Sequence, residues 1–408
     1  MSVHPSRLGR LVLAGLMLFI LSARSGQAGD WRAEIIELAR EGAVSLADAA
    51  GRPLFEYNPD KPLVPASTIK ILTAAAALEL LGPDYRFTTE FRLTPEKDLH
   101  VIGRGDPYLI SEEIEVLAEE LRKKGLVKVR HLGLDNSFFT PGLVLDGTER
   151  SLSPYDAYNG ALSVNFNTIF VQIGPGRKVV SAEPQTPLTA LARDLALKSR
   201  ARGKVRLNLA ESPEMCLLYA GELIKAFLQK AGVQVTGGVR PVRSNPAAAR
   251  PFHHHRSRKT LSELVAEMME YSNNFMANQI FLTLGAEKHG PPATVEKARR
   301  VAADYLKSRG IPLFHLEEGS GLSARTRVTA KDLSAVVRGF EKHRGLLRRK
   351  EQLFYKGGGM TGVRSSAGFI LPEKGKPLTF VILINDLQAK SDAPERILAL
   401  LMENVIMK

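Results

Sequence analysis

The run Pro65-Ala66-Ser67-Thr68-Ile69-Lys70, which continues apolar and alanine-rich to Leu81, constrains this chain more than any other segment. It predicts one helix, closed by Gly82 as a C-cap and by Pro83 just beyond. Positions i and i+3 share a helix face, so Ser67 and Lys70 stand side by side near the N-terminus. Burial disfavours the ammonium form of a lysine. A neutral Lys70 can then take the proton of Ser67 and turn a weak hydroxyl into a nucleophile. The same spacing also arises by chance on a solvated surface, so the rest of the chain must decide.

The chain has 408 residues, 44% of them hydrophobic and 24% charged, which is ordinary globular composition with room for two or three domains. Arg7 and Arg10, the apolar stretch Leu11 to Leu21 and the small-x-small site Gly26-Gln27-Ala28 predict a cleaved signal peptide over 1–28. Its apolar stretch is too short to span a bilayer comfortably. The expected location is therefore the periplasm. Cys216 is the single cysteine, so an internal disulfide is excluded and the fold must rest on its core. Formal charge is +13. Export argues against nucleic acid, which leaves peripheral contact with anionic membrane or cell-wall polymer as the meaning of the excess, or simply solvated Lys and Arg.

Trp31 to Arg40 reads as a helix with Ile35, Ile36 and Leu38 inward, and Ala43 to Ala49 with Pro53 to Tyr57 as a hairpin. From Phe87 the character changes. Ser111 to Lys124 reads as a helix with Ser111 as N-cap, Ser163 to Ile173 alternates like a strand, and Pro213 to Ala231 is helical. Ser244 to Lys259, including His253-His254-His255, reads as a polar linker. Adjacent histidines rarely converge on one metal ion, so no metal site is assigned there. Leu261 to Tyr271 is a helix with Leu261, Leu264, Val265, Met268 and Met269 inward; a second runs from Phe275 to Leu284, capped by Gly285. Arg364 to Leu371 and Leu378 to Asn385 read as adjacent antiparallel strands, and Pro394 to Met407 as a closing helix. The expected organisation is a discontinuous catalytic domain, 29–86 with 250–408, interrupted by an inserted region, 87–249.

Two further motifs carry chemistry. Ser272-Asn273-Asn274 breaks two helices, and its short polar tip can present a hydroxyl and an amide to a cleft, or simply cap the helices. Lys356-Gly357-Gly358-Gly359 places three consecutive glycines where a strand is expected, which suits close approach of a substrate backbone or a plain loop.

Ser67-x-x-Lys70, Ser272-x-Asn274 and Lys356-x-Gly358, in that order, resemble the penicillin-recognising serine DD-peptidases, and among them the class C low-molecular-mass penicillin-binding proteins. Gly103-Arg104-Gly105-Asp106-Pro107, Leu162 to Asn167 and Glu318-Gly319-Ser320-Gly321-Leu322-Ser323 support the resemblance. It implies an α/β (α+β) fold: a transpeptidase- or β-lactamase-like domain with an antiparallel sheet and a helical lobe, interrupted by an inserted α/β region. It implies D-Ala-D-Ala carboxypeptidase or endopeptidase activity on peptidoglycan stem peptides, with β-lactams as inhibitors and no metal or organic cofactor. Ser67 would be the nucleophile, Lys70 its base, Ser272 and Lys356 the proton return, and Asn274 a substrate amide holder. Gly358, Gly359 and Thr361 would bind substrate, with the N–H groups of Ser67 and Gly359 as an oxyanion hole.

One departure stands out. The resemblance leads one to expect hydroxyls at 357 and 359, where they would contact the substrate's terminal carboxylate. Both positions are glycine here. Period-two geometry suggests Thr361 as a partial substitute. The alternatives are therefore an active DD-peptidase, a catalytically weakened homologue that binds wall peptides or a partner, and a β-lactamase. For the last, no clear deacylating Glu is visible.

Overall fold

The structure is a computed structural model that describes residues 30–209 and 211–406. The expected signal peptide lies outside the described residues.

Among the described residues, the main sheet has six strands, all antiparallel. Its spatial order is Arg348–Lys350, Leu353–Met360, Val363–Ile370, Leu378–Ile384, Gly42–Ala47, Pro53–Tyr57. The sheet thus draws its strands from both ends of the chain. Two adjacent inner strands, Leu378–Ile384 and Gly42–Ala47, are almost wholly buried, because both of their faces are covered. On one face lie the helices Lys70–Leu80, Leu261–Tyr271, Asn274–His289 and Ala330–Gly339, whose apolar residues share one core with Ala367, Phe369, Val381 and Leu383 of the sheet. On the other face Trp31–Leu38 and Ala393–Leu401 close over Val44, Leu46, Phe380 and Ile382. This α+β arrangement is the one the three motifs implied.

The middle of the chain builds its own sheet and its own core. Val239–Pro241, Leu132–Asp135 and Leu99–Gly103 pair in parallel; Thr88–Leu93 and Arg250–Arg256 continue the sheet antiparallel. The helices Ser111–Lys123 and Pro213–Lys230 bury Leu117, Leu121, Leu223 and Phe227 with Phe91, Val101 and Leu134 of that sheet.

Several expectations need correction. Ser244 to Lys259 is not a linker, since Arg250–Arg256 is a strand paired with Thr88–Leu93. The middle unit therefore extends to Arg256 rather than ending at 249. The strand expected from Ser163 starts only at Thr168, because Asn165, Phe166 and Asn167 all take left-handed backbone angles. Gly285 is not a cap. The helix continues to His289, and at Gly285 its backbone meets helix Val295–Ser308 so closely that a Cβ would lie 2.7 Å from the Ala298 backbone nitrogen. Ile36 faces solvent while Ile35 is buried. Ser111 is the first helical residue, with Ile110 in the capping position.

Candidate active site

The predicted single helix at Ser67 divides into a 3-10 turn, Ala66–Ile69, and the α-helix Lys70–Leu80. The turn is held from two sides. Thr68 Oγ1 and Ser365 Oγ, the latter from strand Val363–Ile370, each donate to the Pro65 carbonyl at 2.7 Å. Ala66 has φ of 46°. A non-glycine residue in that region costs on the order of 1 kcal/mol or more, so the surroundings must impose it. They do so by close packing. Gly321, with φ of 80°, comes so near that a Cβ there would run into the Ala66 carbonyl. The strand Leu353–Met360 passes equally close, since a Cβ on Gly358 would lie 2.8 Å from the Ser67 backbone nitrogen.

Lys70 is completely buried at the first turn of the helix. Its Nζ lies 2.8 Å from Ser67 Oγ, 2.7 Å from Asn274 Oδ1 and 2.6 Å from the Ser320 carbonyl oxygen. Burial, reinforced by the charge of Lys356 and opposed by that of Glu318, holds its pKa well below the ordinary lysine value. A neutral amine has two N–H groups and one lone pair. Asn274 and Ser320 offer only acceptors, so they take the two N–H groups and leave the lone pair for the Ser67 hydroxyl.

Ser272 and Asn274 sit where two helices meet. Ser272 ends Leu261–Tyr271 in the left-handed region at φ of 52°, and the Asn273 side chain caps the next helix by accepting from the Met276 N–H at 3.0 Å. Capping and chemistry therefore share three residues. Asn273 caps, and its neighbours turn to the two lysines. Lys356 Nζ donates to Ser272 Oγ at 2.8 Å and to the Gly357 carbonyl. Its pKa is pushed down to about 8, mainly by burial and then by the Arg348 guanidinium, against the pull of Glu270. Asn274 Nδ2 donates to the Tyr155 carbonyl at 3.4 Å, so the turn Pro154–Asp156 of the middle unit reaches the site.

The structure thus brings Ser67, Lys70, Ser272, Asn274 and Lys356 together, with Gly358 against Ser67. Thr361 is placed elsewhere. The strand ends at Met360, and Thr361 is exposed in the Thr361-Gly362 turn that joins it to Val363–Ile370. It does not continue the face of 357 and 359 as period-two geometry suggested. At Gly357 and Gly359 the nearest atoms to a Cβ would be 4.0 and 3.8 Å away, so packing does not require glycine at either position.

Glu318 has a part that sequence reasoning missed. Fully buried, its carboxylate accepts from the Ser320 N–H and Oγ, the Gly321 N–H and the Ser323 N–H, at 2.6–3.2 Å. It shapes the loop whose Ser320 carbonyl meets Lys70. The only signal was the Glu318 to Ser323 string itself, which supported the resemblance but gave Glu318 no role.

Known proteins resemble this chain in sequence and in fold. The profile of the D-Ala-D-Ala carboxypeptidase 3 (S13) family matches residues 34–205 and 214–354. A D-alanyl-D-alanine carboxypeptidase of Actinomadura sp. is 28% identical over 346 residues, covering 72% of this chain. The chain spans 63% of that relative's length. D-alanyl-D-alanine carboxypeptidase DacB of Haemophilus influenzae is 24% identical over 406 residues, covering 82% of this chain and 84% of the relative. The crystal structure of penicillin binding protein 4 (dacB) from Haemophilus influenzae superposes with a TM-score of 0.73 at 22% identity, covering 91% of this chain and 98% of that one. A predatory peptidoglycan endopeptidase from Bdellovibrio bacteriovorus reaches 0.54 at 15% identity, over 90% of this chain and 92% of that one.

Proposed function

The chain belongs to the D-Ala-D-Ala carboxypeptidase 3 (S13) family, and from that premise we propose that it is a periplasmic serine DD-peptidase acting on peptidoglycan stem peptides through an acyl-enzyme at Ser67. The observation that carries the reading is the fully buried Lys70 with Nζ 2.8 Å from Ser67 Oγ, its two other neighbours being fixed acceptors.

In this mechanism Lys70 takes the Ser67 proton as Oγ attacks the carbonyl carbon between two D-alanines or at a peptide cross-link. The developing oxyanion is received by the backbone N–H groups of Ser67 and Gly359. The C–N bond then breaks. Lys356 and Ser272, already in contact, relay a proton to the departing amine, and an ester remains on Ser67. Water cleaves that ester and regenerates the hydroxyl. Asn274, fixed between Lys70 and Tyr155, is oriented to hold a substrate amide. β-Lactams enter as substrate mimics that stop at the ester.

A second reading, a weakened homologue that binds wall peptides, is favoured by one observation: the strand beside Ser67 carries glycine at 357 and 359, where the resemblance leads one to expect hydroxyls. Labelling the purified protein with a fluorescent penicillin, beside Ser67→Ala, tests the acyl-enzyme. D-Alanine release from a pentapeptide separates an active enzyme from a binder. Equal labelling of the two proteins would place the nucleophile elsewhere.

A further inference from the structure

The basic run Arg344 to Lys350 reads in sequence as a solvated face, and most of it is one. Arg348, itself exposed, nevertheless bonds back to the protein. It lies in the short edge strand Arg348–Lys350, opposite Tyr355, the residue before Lys356. Its Nη2 donates to the Glu270 carbonyl and stands 3.5 Å from Glu270 Oε1. That carbonyl belongs to the last turn of Leu261–Tyr271, where helical carbonyls lack an intrahelical partner. Two residues later the backbone turns left-handed at Ser272, whose Oγ receives Lys356. The helix end and the strand pair are therefore tied twice, once by Arg348 to Glu270 and once by Lys356 to Ser272. The first tie uses none of the groups assigned to the chemistry.

We propose that Arg348 is a positioning residue of this site, which holds the Glu270 carbonyl and so fixes the turn that aims Ser272 at Lys356. The proposal rests on the acyl-enzyme reading above. Charge gives it a second arm. The groups facing Lys356 are Arg348 from the edge strand, Glu270 from the helix end, and Lys70, itself influenced by Glu318. Arg348 disfavours the ammonium form of Lys356 and Glu270 favours it. If Lys356 works as a proton donor to Ser272, acylation falls as pH rises through its titration. Removing the Arg348 charge then moves that alkaline limb up, and removing the Glu270 charge moves it down.

The test is the pH profile of acylation by a fluorescent penicillin, from about pH 6 to about pH 10, with melting temperatures as a control on folding. It uses the full chain and Arg348→Ala, Arg348→Lys and Glu270→Gln. Arg348→Ala is expected to lower the maximal rate roughly tenfold, as misplacement of a catalytic hydroxyl does, and to shift the limb upward. Arg348→Lys keeps the charge but loses the planar fork, so its limb stays in place while the rate recovers only in part. Glu270→Gln shifts the limb downward. Arg348→Ala that labels at the natural rate, or more slowly with its limb unmoved, overturns the proposal. Should Arg348→Ala not fold, Glu270→Gln decides, an unmoved limb counting against. If the natural chain labels no better than Ser67→Ala, the acyl-enzyme reading itself fails, and that outcome is distinct from the others.

Discussion

Glu318 positions Lys70 without touching it. The Glu318 carboxylate gathers the Ser320, Gly321 and Ser323 backbone around itself, and the Ser320 carbonyl then stands 2.6 Å from Lys70 Nζ. The Lys70 amine is thus placed by a carboxylate one loop away, which acts through geometry and also through its charge. Thr73 and Asn278 brace the same loop by bonding the Gly319 carbonyl and N–H.

Glu318→Gln tests this arrangement. An amide replaces one accepting oxygen with a donor, so part of a set of four hydrogen bonds is lost inside the core. Bonds to a charged group contribute about 1.5–3 kcal/mol each. Denaturant unfolding is expected to show a loss on the order of 3 kcal/mol, with penicillin acylation slowed roughly a hundredfold as the Ser320 carbonyl moves away from Lys70. An unfolding midpoint and a labelling rate equal to those of the natural chain would refute the role.

Gly358→Ala probes the approach of the strand to Ser67. The new Cβ would lie 2.5 Å from Ser365 Oγ, 2.8 Å from the Ser67 nitrogen and 3.2 Å from Ala66 Cβ. Two of these neighbours are fixed in the turn that carries Ser67. The strand must retreat, taking with it the Gly359 N–H and Lys356. Acylation is expected to fall about a hundredfold or more. Stability is expected to fall by about 1–3 kcal/mol, the usual cost of overpacking. Normal labelling by the variant would mean that the backbone yields without disturbing the site.

Lys356 leaves a signature in stability. Its folded pKa of about 8 lies below the ordinary 10.5. Between those values the unfolded chain holds a proton that the folded chain has released, so this group's contribution rises with pH across the window and is least favourable below pH 8. Lys356→Met removes the slope. The stability difference, variant minus natural chain, is expected to be largest below about pH 8 and to shrink by on the order of 3 kcal/mol as pH rises past 10. A difference that stays constant with pH would mean that Lys356 titrates normally in the fold.

How much of this was legible depends on what each residue bonds to. Ser67 and Lys70 were visible because two chemically distinct side chains recur at the spacing of one helical turn. Ser272 and Asn274 were visible as a polar break between apolar helices. Glu318 was not, since its partners are backbone N–H groups of its own loop, which carry no residue signature. Arg250–Arg256 was misread because Pro, His and Arg dominate it and no apolar alternation marks the strand; its partner Thr88–Leu93 is far away in sequence. Gly285 looked like a stop, and only the packing of helix Val295–Ser308 against it shows why a glycine stands mid-helix. Thr361 was assigned by counting along a strand that in fact ends one residue earlier.

The last prediction concerns the two glycines of the third motif. Gly358 is required by its contact with Ser67, but Gly357 and Gly359 have no atom nearer than 4.0 and 3.8 Å to where a Cβ would stand. Neither has a left-handed φ, so threonine fits both without backbone strain, and a β-branched residue favours the extended form. Gly357→Thr with Gly359→Thr is therefore expected to leave the protein at least as stable. If hydroxyls at these positions read the terminal carboxylate of a substrate, as the resemblance implies, the natural chain is a poor carboxypeptidase, and the exposed Thr361 in its turn does not make up the loss. The double variant is then expected to release D-alanine from a pentapeptide with kcat/KM raised about tenfold, equivalent to ~1.4 kcal/mol, within reach of one or two recovered hydrogen bonds. Acylation by a β-lactam lacking the matching carboxylate is expected to change less. Brisk turnover by the natural chain with no gain in the double variant would show that backbone donors of the strand suffice, and that glycine at 357 and 359 costs this site nothing.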